Sequence, residues 1–238
     1  TMTDSIKFVS NISQVQSAWD KIQILNASQN AIGIFEYCII KHSYAGIAIE
    51  CCDGNDSTYI KHSSFEDNSS ASSGNANWDL IIDSCVFTNN GFGVGEGNQQ
   101  VTNCIFNNNN RAISVGDKYI VNCVFKNNNI GIIAWEFNVK NSFFQDNGIA
   151  IKCDSAINSH GTIDSCTIIN NNIGIAASNN YIYNNFISKN TVGISTTHLS
   201  YTYNGIQYYI PVYNNRICNN TIYNIQNKSS LNKTITQN

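Results

Sequence analysis

The chain has 238 residues, 42% of them hydrophobic and only 12% charged, with a net charge of −3. That charge share is about half the usual one; it leaves no basic footprint for nucleic acid, and no run of about 18 apolar residues is present to span a membrane. Nine cysteines without a single CxxC pair exclude a zinc ribbon or a thioredoxin-like site and leave one thiol over in any disulfide scheme.

Short apolar alternations come first, at Ile6-Lys-Phe8 and Trp19-Asp-Lys-Ile22-Gln-Ile24. Copies of one unit follow, the looser ones centred on Cys38 and Ser63. Ile82-Asp-Ser-Cys85-Val-Phe87-Thr-Asn-Asn90-Gly-Phe-Gly93-Val94 is succeeded by Val101-Thr-Asn-Cys104-Ile-Phe106-Asn-Asn-Asn109-Asn-Arg-Ala112-Ile113. Ile120-Val-Asn-Cys123-Val-Phe125-Lys-Asn-Asn128-Asn-Ile-Gly131-Ile132 comes next. Cys85, Cys104, Cys123 and Ser142 lie 19 residues apart, and Cys166 to Asn185 is 19 again. A last copy centres on Asn215, and residues 226–238 read as a polar tail or a last frayed coil.

Parity turns this unit into geometry. Cys85 and Phe87 are two apart and share one face of a strand. Ile82 to Cys85 and Phe87 to Asn90 are each three apart, which breaks the alternation and demands a corner. Three short strands and three corners make a triangular coil that is stable only on a stack of its neighbours. A helical solenoid needs repeats of about 33 residues or more. The expectation is therefore an all-β fold, a right-handed parallel β-helix solenoid of about ten coils, with residues 1–225 as one domain. Asn90, Asn109, Asn128, Asn147, Asn171 and Asn190 are expected to stack at one corner, where asparagine tolerates left-handed φ and bonds to its copies above and below. Gly46, Gly93, Gly131, Gly174 and Gly193 are expected at another tight corner.

The I-x-x-[CNS]-x-[FI]-x-x-N-x-x-G-I unit resembles the parallel β-helix repeats of the pectin-lyase-like superfamily, in particular its copper-site-assembly and surface-protein repeats. The resemblance covers about residues 34–225. Upstream, Trp19-Asp-Lys-Ile22-Gln-Ile24 resembles coils common in bacterial and archaeal surface β-helices, which implies that the solenoid begins near Ile6. That fold hosts many functions.

Cys38, Cys85, Cys104, Cys123 and Cys166 share one repeat position with Ser63, Ser142, Asn185 and Asn215. Parity points it inward, as a core position where a free thiol acts as a small apolar group. The alternative is a thiolate ladder for a soft metal. Cys153 is also expected in the core, while the sequence leaves the state of Cys51, Cys52 and Cys218 open.

Two outward rows are candidates for function. Beyond the glycine, strands end in an acid: Glu50, then Glu96, Asp117, Glu136 and Asp154 from consecutive coils. Such a row is either a solvated corner or a site for calcium or a glycan, with Trp135 as an apolar platform; calcium is the one cofactor it suggests. The other row, Ile39, Val86, Ile105, Val124, Phe143, Thr167 and Phe186, forms an outward apolar column expected to be a packing face. Long connections are expected at 50–59, 69–79, 153–162 and 195–211, the last rich in tyrosine.

These features point to an extracellular or cell-surface structural or adhesive module, a surface protein or fibre subunit. It is expected to form a homo-oligomer or filament, with a polysaccharide as a further partner. The alternative is a polysaccharide-acting lyase, epimerase or hydrolase. Asp79, Asp83, Asp154 and Asp164 supply carboxylates for one, and Ser-His160-Gly-Thr resembles the His-Gly element of polygalacturonases. The Asn-Thr-Asp, Asp-Asp and Arg-x-Lys companions of that family are absent, and only Arg111 and Arg216 are present to neutralise a uronate.

Overall fold

The repeat unit folds as three short strands per coil, for instance Asp79–Asp83, Val86–Thr88 and Phe92–Val94. The computed structural model describes residues 5–10, 17–25, 32–50, 57–74, 79–95, 98–115, 118–135, 137–153, 161–177, 180–196, 200–203, 206–209 and 212–227. Equivalent strands pair in parallel from coil to coil, giving two ten-stranded sheets and one nine-stranded sheet. Sheet A runs from Ile6–Phe8 to Arg216–Cys218, sheet B from Trp19–Leu25 to Tyr223–Asn227, and sheet C from Ile32–Glu36 to Val212–Tyr213. The ten strands of sheets A and B match the expected number of coils. Beyond Asn227, the C-terminal tail lies outside the described residues.

Three columns of inward side chains fill the interior. Sheet A contributes Phe65, Phe87, Phe106, Phe125 and Phe144, all fully buried. Their rings stack with centroids 4.6–4.9 Å apart and planes within 7°. Stacked phenyl pairs add about 0.5–1.5 kcal/mol each beyond area burial. Sheets B and C close the interior with columns such as Ile113, Ile132, Ile151, Ile175 and Ile120, Val139, Ile163.

The corners divide labour in a way the spacing alone does not show. Left-handed φ is held by the residue before each buried corner position: Asn89, Asn108, Asn127, Asp146 and Asn170 between sheets A and B, Ser84, Asn103, Asn122 and Asn141 between sheets C and A. These residues are small and polar, the types that enter that region at least cost, whereas Tyr37, His42, His62 and Lys189 hold the same angle in other coils. Asn90, Asn109, Asn128, Asn147, Asn171 and Asn190 do stack, at 3% exposure or less, but they are freed from the strained angle. Asn109 Oδ1 accepts the backbone N–H of Asn90 at 2.9 Å and its Nδ2 at 3.0 Å. Asn109 Nδ2 donates at 3.0 Å to the Phe87 carbonyl and at 3.0 Å to Asn128 Oδ1. Two donors and two acceptor sites are thus all filled. The ladder continues downward through Asn68 to Ser43 and upward to Asn220.

The glycines are not at a corner. Gly93 and Gly131 sit inside the sheet B strands Phe92–Val94 and Ile130–Ala134. A β-carbon on Gly131 would lie 2.5 Å from the Ala150 carbonyl oxygen of the next coil, so close approach of backbones, rather than φ, calls for glycine. Two expected connections also contain strands: Ser70–Ser73 in sheet B, and an antiparallel hairpin of Ser200–Tyr203 with Ile206–Tyr209.

The cysteine column is buried as expected, and it does more than fill space. Cys85 N–H donates to Cys104 Sγ at 3.4 Å, as Cys38 N–H donates to Ser63 Oγ at 3.0 Å and Cys166 N–H to Asn185 Oδ1 at 2.9 Å. The Cys104 thiol lies 3.0 Å from the Thr102 carbonyl. Sulfur, hydroxyl and amide therefore perform one task, receiving the neighbouring backbone N–H. That explains why a single position accepts all three. Cys38, Cys85, Cys104, Cys123, Cys166 and Cys218 carry free thiols, and Cys153 is buried as expected with its Sγ 3.6 Å from the Trp135 carbonyl. Burial pushes the Cys104 thiol well up and the Cys166 thiol up to about 12.

Two outcomes follow for stability. Asn109→Ala should lower unfolding free energy by about 3 kcal/mol or more in urea, because several buried groups lose partners at about 1–3 kcal/mol each. Asn108→Gly, one residue away, should change it by no more than about 0.5 kcal/mol. The raised Cys166 thiol binds its proton more tightly folded than unfolded, so its contribution is complete below the ordinary thiol value of 9.0 and is lost as pH rises towards about 12. Across that window the fall in stability should be shallower in Cys166→Ser, by up to about 1.4 kcal/mol per pH unit.

Candidate functional site

With the interior filled, chemistry falls to the outward columns and the corners. On sheet A the register aligns Val86, Ile105, Val124, Phe143, Thr167 and Phe186. Ile39 stands two coils below Val86, with Ser64 between them. These residues form one outer row, interrupted chemically by Ser64 and Thr167. Ile105 and Phe186 are 44% and 37% exposed. The flanking column is polar: Lys41 pairs with Glu66, followed by Thr88, Asn107, Lys126 and Gln145. Lys126 Nζ sits 5.5 Å from the Phe143 ring centroid, and the Arg216 guanidinium 5.5 Å from that of Phe186.

The acid row cannot be placed in the same way. Glu96, Asp117, Glu136 and Asp154 lie outside the described residues, as do Cys51, Cys52 and His160. Glu50 ends the strand Ser43–Glu50 and pairs by its backbone with Leu25. Trp135 directly follows the strand Ile130–Ala134, and its side chain is 63% exposed. Cys218 is half-buried, 3.8 Å from Ser188 Oγ. Among the described residues no three His, Cys, Asp or Glu side chains gather as a metal-holding group.

Sheet C separates the carboxylates. Asp83 and Asp164 occupy one column with Thr102, Val121 and Lys140 between them. Four coils at about 4.8 Å put them about 19 Å apart, beyond the roughly 5–9.5 Å of a glycosidase pair. Burial works to raise Asp83, but hydrogen bonds from Thr102, Asn103 and Ser84 outweigh it and hold the carboxyl below its ordinary value. Asp164 is likewise held down against burial, by Ser165, Asn184 and the Lys140 ammonium at 3.5 Å. Both carboxylates are committed to tying coils together. Both arginines lie over aromatic faces, Arg111 over Phe92 at 5.4 Å and Arg216 over Phe186.

One outward column escaped the sequence reading. On sheet B, Arg111, Ile130, Ile149, Ile173, Val192 and Tyr223 align. The signal was present: apart from Tyr223, each lies two residues after a ladder asparagine. The position falls between the two strongest marks of the repeat, Asn and Gly, where the consensus carries no residue type.

Among the described residues no helix is long and apolar enough to cross a membrane. The chain matches neither a curated protein nor a solved structure. Residues 9–144 match the family described as right handed beta helix region, over the same coils that carry the phenylalanine stack and half of the asparagine ladder. The pectin-lyase-like resemblance of the repeat is consistent with that match. The chain belongs to the right-handed β-helix family.

Proposed function

We propose that this chain is an extracellular structural or adhesive module, a surface-protein or fibre subunit that associates side by side with its own copies. The observation that carries the proposal is the outer column of sheet A. Ile39, Val86, Ile105, Val124, Phe143 and Phe186 give a straight apolar row on a rigid face, and burying such a row is favourable by about 25 cal/mol per Å². Lys41, Lys126 and Arg216 line it, and Lys41 pairs with Glu66.

A glycan is the further partner we propose, on the strength of the exposed Trp135 indole. A large aromatic face with a polar rim suits the apolar face of a sugar ring. The acids Glu96, Asp117, Glu136 and Asp154 are the calcium candidates that accompany it in sequence.

Sedimentation velocity and electron microscopy of the purified chain should show concentration-dependent assembly. Ile105→Lys combined with Val124→Lys should reduce the average mass at equal concentration, with the far-ultraviolet spectrum unchanged. An assembly indifferent to both lysines would overturn the sheet A proposal. Depolymerisation or uronate turnover on a glycan panel would replace it with the lyase, epimerase or hydrolase alternative. Retention on a glycan matrix should drop with Trp135→Ala, and an unmoved melting temperature in millimolar calcium would remove the cation.

A further inference from the structure

The outer column of sheet B has its own logic. Ile130, Ile149, Ile173 and Val192 come from four consecutive coils, all β-branched and half-buried. The four are followed on one side by Arg111, below which the column continues through Phe92 and Ser70, and on the other by Tyr223, 47% exposed. No acid lies in it, and over the six coils from Arg111 to Tyr223 the side chains are close to a palindrome about the midpoint between Ile149 and Ile173.

Building on the proposal that copies associate side by side, we propose that sheet B is a second interface, on which another copy of this chain packs antiparallel. The two-fold axis runs along the strands between the coils of Ile149 and Ile173. Ile149 then meets Ile173 of the second copy, Ile130 meets Val192, and Arg111 meets Tyr223. Two sheets packed face to face about 10 Å apart with aligned strands accommodate such a layer. Charge selects the direction. Packing in the parallel sense sets Arg111 against its own copy, a like-charge contact, whereas the antiparallel sense brings Tyr223 to a guanidinium that already lies against the Phe92 ring, an attractive contact. In the adjoining column Lys152 meets Ala176 rather than another cation. Each interface is isologous and closed by itself. A protomer carrying two different ones, on sheets A and B, extends into an open row without any contact between solenoid ends.

The direction is read by cross-linking in a Cys51→Ser, Cys52→Ser, Cys218→Ser background. Ile130→Cys and Val192→Cys protomers, mixed and oxidised, should give covalent dimers on a non-reducing gel, while neither alone should. Dimers formed by Ile130→Cys alone, or none from the mixture, would overturn the antiparallel interface. Sedimentation separates the two proposals. The Ile105→Lys, Val124→Lys variant should remain a dimer held by sheet B, and adding Ile149→Lys should halve its mass to the monomer. If the sheet A variant is already monomeric, sheet B is not an interface and the sheet A proposal stands. A wild-type chain that stays monomeric at every concentration overturns both.

Discussion

A coil rise of about 4.8 Å obliges every side chain in this fold to lie against its own equivalent. Groups that attract their own kind are favoured, and groups that repel it are excluded. A carboxamide is such a group, since it both donates and accepts; a phenyl ring and an isoleucine also tolerate self-stacking. A lone carboxylate or ammonium does not. The shortage of charge and the excess of asparagine follow from that one rule. Where charges do occupy a column they alternate, as Glu36, Lys61 and Asp83 do on sheet C, or pair, as Lys41 with Glu66 and Lys140 with Asp164 do.

The fold was legible because parity and period are one-dimensional. Cys85 to Phe87 gives a strand, Phe87 to Asn90 a corner, and the 19-residue spacing a stack. What the residues do at the corners was less legible. Asn108 and Asn109 are identical in sequence, yet one carries the left-handed angle and the other the hydrogen-bond ladder. Cysteine at positions 85 and 104 looks like a hydrophobe, and only the 3.4 Å contact with a neighbouring N–H shows why serine and asparagine replace it. Gly131 looks like a turn residue, although its reason is the Ala150 carbonyl of the next coil.

Function was harder to read for a related reason. A solenoid repeats its scaffold and thereby hides its exceptions: Val124 and Ile130 sit in the same repeat, both outward, on different faces. The sheet A row stood out because it interleaves with the inward cysteine and phenylalanine. The sheet B row lies where asparagine and glycine had drawn the eye. Long flat sides of contrasting chemistry suit a rod that touches partners along its length, and neither row brings reactive groups to one point.

The asparagine ladder also governs how the molecule ages. Among the described residues, Asn90-Gly91 and Asn147-Gly148 are the dipeptides of the type in which a backbone nitrogen most readily attacks the preceding side-chain amide, closing a ring and expelling ammonia. Here the Gly91 and Gly148 nitrogens are held to carbonyls of the coil below at 3.0 and 2.9 Å, and both amides are locked between coils. Ring closure must wait until a rung opens. Once it has occurred, an aspartate takes the place of a donor that the next coil needs. Chemical lifetime at these two sites is therefore set by the rate of local unfolding, and the same bonds that hold the coils together keep the time.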